Sequence, residues 1–96
     1  MPQIILTHTA IYDLKRVHNF LSAKSPILAQ RASAIIIKSF RILLLHPNIG
    51  KPIDNIDLHY RELIIPFGES GYIALYLTKD NITTILALRH QKEAGY

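Results

Sequence analysis

Residues 60–90 read YRELIIPFGESGYIALYLTKDNITTILALRH, and their reading decides the fold. Apolar side chains recur here with a period of two, the period of a strand. Tyr60 to Ile65 forms a strand ended by Pro66 and the turn Gly68-Glu69-Ser70-Gly71. Tyr72 to Thr78 forms the next, with Tyr72, Ala74 and Tyr76 on one face and Ile73, Leu75 and Leu77 on the other. Lys79-Asp80-Asn81 turns the chain, and Ile82 to His90 is the last strand. Three strands joined by such short turns make an antiparallel meander.

Upstream the period changes. Gln3-Ile4-Ile5-Leu6-Thr7 is a short β-branched strand, after which Thr7 or Thr9 offers a helix cap. Ala10, Leu14, Val17 and Leu21 follow at helical spacing, so a first helix runs to about Ala23. Asp13 falls in or near its first turn, where a negative charge suits the helix dipole. The opposite face carries Asp13, Lys15, Arg16, Asn19 and Ser22. Ser25-Pro26 starts a second helix that continues to Leu45 or His46, where Pro47 and Gly50 stop it. Its polar stripe, Arg31, Ala34, Lys38 and Arg41, is narrow. Ile27, Leu28, Ile35, Ile36, Ile37, Phe40, Ile42, Leu43, Leu44 and Leu45 fill nearly everything else. Such a helix is either deeply buried between its partner helix and the sheet, or it meets a second protein chain. Pro47 to His59 is a turn-rich connection. The predicted order is β-α-α-β-β-β, an α+β domain with a helical hairpin on one face of a small, mainly antiparallel four-stranded sheet. One domain spans residues 1–96.

Composition narrows the function. The chain has 96 residues, of which 49% are hydrophobic and 19% charged, enough apolar material for one core and too much for disorder. It has no cysteine, so disulfide scaffolds, thiol catalysis and thiolate metal sites are excluded together. No stretch approaches the roughly 18–20 apolar residues of a membrane span, and Met1 to Thr7 lacks the basic start of a signal peptide. A soluble, cytoplasmic protein is expected. The net charge is +4, and its distribution is uneven. Residues 1–48 hold six Lys/Arg (Lys15, Arg16, Lys24, Arg31, Lys38, Arg41) against Asp13 alone, whereas residues 49–96 hold five against six acids. A basic half of this kind either meets a polyanion, nucleic acid or an acidic protein segment, or is the solvated side of two helices.

Catalytic signatures are sparse. His8, His18, His46, His59 and His90 are scattered without the spacing of a zinc site, so no metal and no cofactor are expected. Gly68-Glu69-Ser70-Gly71 lacks the spacing of a nucleophile elbow and reads as a turn. No glycine loop cradles phosphate, which excludes a nucleotide-dependent enzyme. The meander is more informative. Alternation puts Arg61 with Leu63 and Ile65, puts Arg89 with Ile85 and Ala87, and leaves His90 on the opposite face. Two arginines near an open sheet face can hold a phosphate or a carboxylate in bidentate fashion, and His90 can act as acid or base on a phosphodiester. The other reading is an exposed strand end with solvated charges. Lys51, Tyr60 and Tyr96 are weaker candidates.

With these residues in place, the chain resembles the RelE/ParE superfamily of bacterial toxins from type II toxin–antitoxin pairs. The resemblance rests on the element order and on five motifs: Ala10-x-x-Asp13-Leu14, Leu45-His46-Pro47-x-x-Gly50, Tyr60-Arg61-Glu62-Leu63, Tyr72-x-x-x-Tyr76, and the ending Leu88-Arg89-His90-Gln91-Lys92-Glu93-Ala94-Gly95-Tyr96. It covers almost the whole chain. It implies a growth-inhibiting toxin of the plasmid-stabilisation kind, neutralised by a cognate antitoxin that wraps around it. DNA contact would come only indirectly, through the antitoxin, and a homodimer is compatible with the apolar second helix. Within the superfamily, RelE-like members cut mRNA on the ribosome, whereas ParE-like members poison DNA gyrase and are not nucleases. The lysine-rich catalytic loop of the nuclease branch is unmatched, since Lys51 stands alone between Gly50 and Pro52. The long helical hairpin and its Ala-x-x-Asp-Leu start look more like the ParE side. The resemblance therefore implies a ParE-like gyrase poison, with a RelE-like endoribonuclease and a non-toxic antitoxin-binding member as alternatives. Arg61, Arg89 and His90 are catalytic only in the RelE-like case. Arg31, Lys38, Arg41, Lys51, Arg61 and Arg89 are the expected antitoxin or target contacts.

Overall fold

The computed structural model describes residues 1–53 and 59–92. Strand β1 (Gln3–Leu6) leads into helix α1 (His8–Lys24) and helix α2 (Pro26–Leu45), followed by strands β2 (Lys51–Pro52), β3 (Tyr60–Phe67), β4 (Ser70–Lys79) and β5 (Ile82–His90). The five strands form one sheet in the order β1-β5-β4-β3-β2. β1 runs parallel to β5 and every other pairing is antiparallel. The α+β architecture is the expected one, but among the described residues the sheet has five strands rather than four. The additional strand lies inside the connection read as turns: Lys51 and Pro52 pair with Glu62 and Arg61 for two residues only. So short a pairing, in a Pro- and Gly-rich context, leaves no alternation to read.

The ends of the elements follow their local chemistry. Thr7, not Thr9, caps α1, its hydroxyl accepting the Ala10 N–H at 3.1 Å. Ser25 alone links the helices, ending α1 and capping α2 with Pro26 at its start. Strand β3 does not stop at Pro66 but continues to Phe67. Pro66 faces Gly71 across β4, and β2 is too short to pair with it on the other edge, so its missing N–H breaks no ladder there. Gly71 has φ +142°, and a Cβ on it would collide with the Ile65 carbonyl oxygen. Asp80 and Asn81 both take positive φ (53° and 63°), the two-residue hairpin conformation that suits twisted strands.

The core lies between the helices and one sheet face. Ala10, Val17 and Leu21 of α1 meet Leu63, Ile65, Tyr72, Ala74, Tyr76, Ile85 and Leu88 of the sheet, with Ala29, Ala32, Ile36, Phe40 and Leu43 from α2. Deep burial of α2 is not observed. Of the ten apolar residues read along it, only Ile36, Phe40 and Leu43 are buried, while Ile27 and Leu45 are 60% and 79% exposed. A two-layer fold covers one side of a helix, and nothing among the described residues covers the other.

One irregularity in β5 governs much of the rest. Leu75 pairs with Ala87 but Tyr76 pairs with Ile85, so Leu86 is an extra residue. Its backbone neighbours are taken up from the helical side. The Thr7 hydroxyl donates to the Leu86 carbonyl (2.9 Å), the Asp13 carboxylate accepts the Leu88 N–H (2.9 Å), and Arg16 donates to the Leu88 carbonyl (3.4 Å). Asp13 therefore sits in the second turn of α1 as a bond to the sheet, not in the first turn as a dipole partner or on a solvated face.

A second anchor holds the segment after α2. The Tyr76 hydroxyl donates to the Pro47 carbonyl (2.7 Å) and accepts the Gly50 N–H (2.9 Å). Gly50 is obligatory here, because a Cβ would lie 2.5 Å from that hydroxyl. Burial pushes the Tyr76 pKa above its ordinary value of 10, against the smaller lowering effects of the Gly50 N–H and the Arg61 charge. Between pH 10 and the raised folded value the unfolded chain loses the proton and the folded chain keeps it. Stability should therefore fall as pH rises above 10. Urea titrations should show this loss in the native chain and not in Tyr76→Phe. The same variant should be less stable at pH 7 by about 2–3 kcal/mol, since it strands two polar backbone groups. Asp13→Ala should cost about 1–3 kcal/mol by leaving the Leu88 N–H without its acceptor, read from the same titrations.

Candidate functional site

The residues expected to act together are not brought together. Arg61 lies on the helix-facing side of β3, as alternation requires, opposite Tyr76. Its guanidinium donates from Nη1 to the Gly50 carbonyl at 2.7 Å and to the Asn48 carbonyl at 3.2 Å. It thus holds the same segment as Tyr76. The cleft beside it, lined by Pro47, Asn48, His59 and Thr78, encloses about 90 Å³. Ligand pockets usually run to roughly 300–1,000 Å³, so a nucleotide does not fit.

The bulge at Leu86 reverses the expected sides of Arg89 and His90. Beyond it, Leu88 pairs with Ala74 and His90 with Tyr72, which places His90 on the helix side. Arg89 pairs with Ile73, on the outer face with Ala87 but across the sheet from Ile85. Its Nη1 donates to the carbonyls of His90 (3.3 Å) and Gln91 (3.5 Å). Arg61 and Arg89 therefore lie on opposite faces. Arg61 and His90 share a face, but they sit two strands apart and four residues apart along β4. At about 3.3 Å per residue and 4.8 Å per strand, that separation is roughly 16 Å.

His90 is held in one orientation. Its ring meets Tyr72 edge-on, with centroids 5.4 Å apart. Its Nδ1 accepts the Lys92 N–H at 3.1 Å, which puts the imidazole proton on Nε2, 3.0 Å from the Ser70 hydroxyl. In this arrangement the ring donates to Ser70 through Nε2.

The remaining candidates are dispersed. Lys51 lies directly opposite Glu62 at the β2 edge, and Arg31, Lys38 and Arg41 line the exposed side of α2. Tyr60 begins β3, half-buried. Tyr96 lies outside the described residues. Among the described residues no three His, Asp or Glu side chains gather as metal ligands, and no helix is long and apolar enough to cross a membrane.

Sequence reasoning overlooked Tyr76 as an anchor and the groove formed by Arg16, Phe20, Lys24, Tyr72 and His90. The groove had a signal. Arg16, Phe20 and Lys24 stand four residues apart and so line one side of α1, next to its apolar stripe. The bulge had none, because Leu86 is one apolar residue in an apolar run.

Comparison with known proteins follows the same lines. Residues 4–95 match the family described as the ParE toxin of the type II toxin–antitoxin system parDE. A protein named Toxin RelE3 from Caulobacter vibrioides is 28% identical over 93 residues, covering 97% of this chain and 98% of that one. A solved structure described as the chromosomal ParDE TA system from P. aeruginosa superposes with a TM-score of 0.75 at 20% identity, over 94% of this chain and 96% of that one. The fold, a helical hairpin on one face of a mixed sheet, is shared with that structure. On the match of its sequence from residue 4 to residue 95, the chain belongs to the ParE toxin family of type II toxin–antitoxin systems.

Proposed function

We propose that this chain is a ParE-like, non-enzymatic growth inhibitor that acts on DNA gyrase in the cytoplasm and is neutralised by a cognate antitoxin. The observation that carries the reading is the dispersal of Arg61, Arg89 and His90. Phosphodiester cleavage by 2′-hydroxyl attack needs a charge-stabilising group and an acid or base within hydrogen-bond reach of the same phosphate. Here Arg61 binds two loop carbonyls, Arg89 faces the other side of the sheet, and the Nδ1 lone pair of His90 is occupied. In this reading Arg61 is a structural clamp, and Arg89 and Lys51 are contacts for the target.

An antitoxin partner is supported by the family's description and by the exposed side of α2. There, Ile27, Ile35 and Ile42 lie uncovered beside Arg31, Lys38 and Arg41. An acidic amphipathic segment matches both the apolar area and the charge. A second copy of this chain would bring the three cations against their own kind, so a homodimer through this face is disfavoured. Any role in binding DNA or stabilising a plasmid passes through the antitoxin.

The name of the Caulobacter vibrioides relative favours a second reading, a ribosome-dependent mRNA endoribonuclease. In that case Arg61 and Arg89 would stabilise the phosphorane-like charge and His90 would move the proton, after rearrangement of the strand end. A member that binds antitoxin without toxicity is the third. Expression from a tightly controlled promoter separates them. The gyrase reading expects growth arrest with SOS induction, filamentation and intact transcripts, and His90→Gln should leave arrest unchanged. Transcripts cut at in-frame codons without SOS induction, with cleavage falling about 10²–10⁴-fold in His90→Gln, would replace it with the nuclease reading. Normal growth with tight antitoxin binding would establish the third.

A further inference from the structure

The core occupies one face of the sheet, and both helices lie on that side. Among the described residues, no element lies over the opposite face. Register and alternation place on it Ile73, Leu75 and Leu77 of β4, Ile64 of β3, Ala87 of β5 and Ile5 of β1. The open face of an antiparallel sheet ordinarily carries polar residues. Here the central strand presents three apolar side chains in succession, each half-buried, and Ile64 beside them is 57% exposed. The charged residues of this face stand at its margins. Lys51 and Glu62 lie opposite each other where β2 meets β3, Lys79 ends β4, and Arg89 stands near the end of β5. An uncharged centre within a charged rim is the anatomy of a protein–protein interface. None of the six apolar residues lines the groove beside α1 or the cleft beside Arg61.

We propose that two copies of this chain associate through this face, sheet against sheet, in a two-fold symmetric dimer. Charge selects a second copy here and rejects it on the other side. The two helices carry six cations against one acid, so a copy that met them would meet its own sign. The margins of the sheet carry both signs. A two-fold axis along β4 stacks Leu77, Leu75 and Ile73 on their own counterparts. It also sets β5 of each copy, with Arg89, over β3 of the other, with Glu62. Shape agrees with charge, since twisted sheets pack face to face about 10 Å apart with their strands within about 30°. Five strands about 4.8 Å apart and six residues at about 3.3 Å each span roughly 19 by 20 Å, nearly 400 Å² of plane per copy. Rough surfaces bury more than their plane, so the total comes to about 1,000 Å², the lower end for a specific interface. The dimer is therefore weak and depends on concentration. The inference stands apart from the antitoxin reading and touches the gyrase reading at one point. Arg89 and Lys51, assigned there to the target, lie at the margin of the dimer, so the copy that meets a target is the monomer.

The test is sedimentation equilibrium of the purified full chain, without antitoxin, over a range of concentrations reaching several hundred micromolar. The mass should climb from that of one chain toward that of two, with a dissociation constant of order 10–100 µM. Ile64→Lys sets a charge into the apolar centre, beneath the Arg89 of the other copy, and should weaken association at least tenfold. Cross-linking gives a second readout that does not depend on that variant folding. The chain has no cysteine, so a single one can be placed at will. With a short bis-maleimide, Leu75→Cys, on the axis, should link two chains, whereas Ile35→Cys on α2 should not. A single-chain mass at every concentration would overturn the dimer. Association that survives Ile64→Lys and links through Ile35→Cys rather than Leu75→Cys would overturn its placement on the sheet. A chain that stays single and loses binding to purified DNA gyrase in Ile64→Lys would overturn the dimer and reassign the face to the target.

Discussion

One extra residue in the last strand sets the terms for the whole molecule. Leu86 shifts the register between β4 and β5, so everything beyond it changes sides. The shift also disturbs the ladder near the point where β1 ends. Thr7, Asp13 and Arg16 supply the missing partners, and in doing so they fix how α1 lies over the sheet. Helix placement, the side taken by His90 and the existence of the groove all follow from that one insertion. Bulges commonly re-aim a side chain in this way. Here two are re-aimed, in opposite directions.

A charged residue in a small fold often has a structural task that competes with the chemical one. Arg61 is an example. Its sequence context, at the start of a strand that is apolar from Leu63 onward, suggests a phosphate ligand. In the fold it crosses to the carbonyls of Asn48 and Gly50, beside the Tyr76 hydroxyl that holds Pro47 and Gly50. The segment leaving α2 has few apolar side chains with which to dock, so polar groups from the sheet hold it in place. Such bonds to backbone carbonyls are strong and geometrically demanding. They make Arg61 a poor candidate for a group that must reorganise around a substrate.

Much of this was legible in the sequence, and the reasons for the rest are physical. The meander could be read because the strands alternate and the turns carry Gly, Asp and Asn. The helical hairpin could be read because Ala10, Val17 and Leu21 recur at helical spacing and Ser25-Pro26 punctuates it. Strand β2 could not, since two residues contain no period. The side of Arg89 could not, because strict alternation assumes an uninterrupted register, and Leu86 looks like any other strand residue. The exposure of α2 was legible only as a choice between burial and a partner. Composition gives the amount of apolar surface but not the number of layers available to cover it. Tyr76 was visible as part of a motif, but the use of its hydroxyl depends on contacts 26 and 29 residues distant in the chain.

The pairing of β1 with β5 bears on the making of the protein as well as its shape. Gln3 lies against Ile82 and Leu6 against Ile85, so the first strand finds its neighbour only after most of the chain exists. At roughly 5–20 residues per second on the ribosome, the helical hairpin emerges several seconds before the strand that anchors it. During that interval Thr7 and Asp13 have no Leu86 or Leu88 to bind, and the apolar stripe of α1 has no sheet beneath it. Closing so long a loop is entropically costly and belongs to the slow class of topologies. For each copy there is therefore a period in which the hairpin has left the ribosome without its sheet, and any partner that meets the growing chain then encounters the hairpin first.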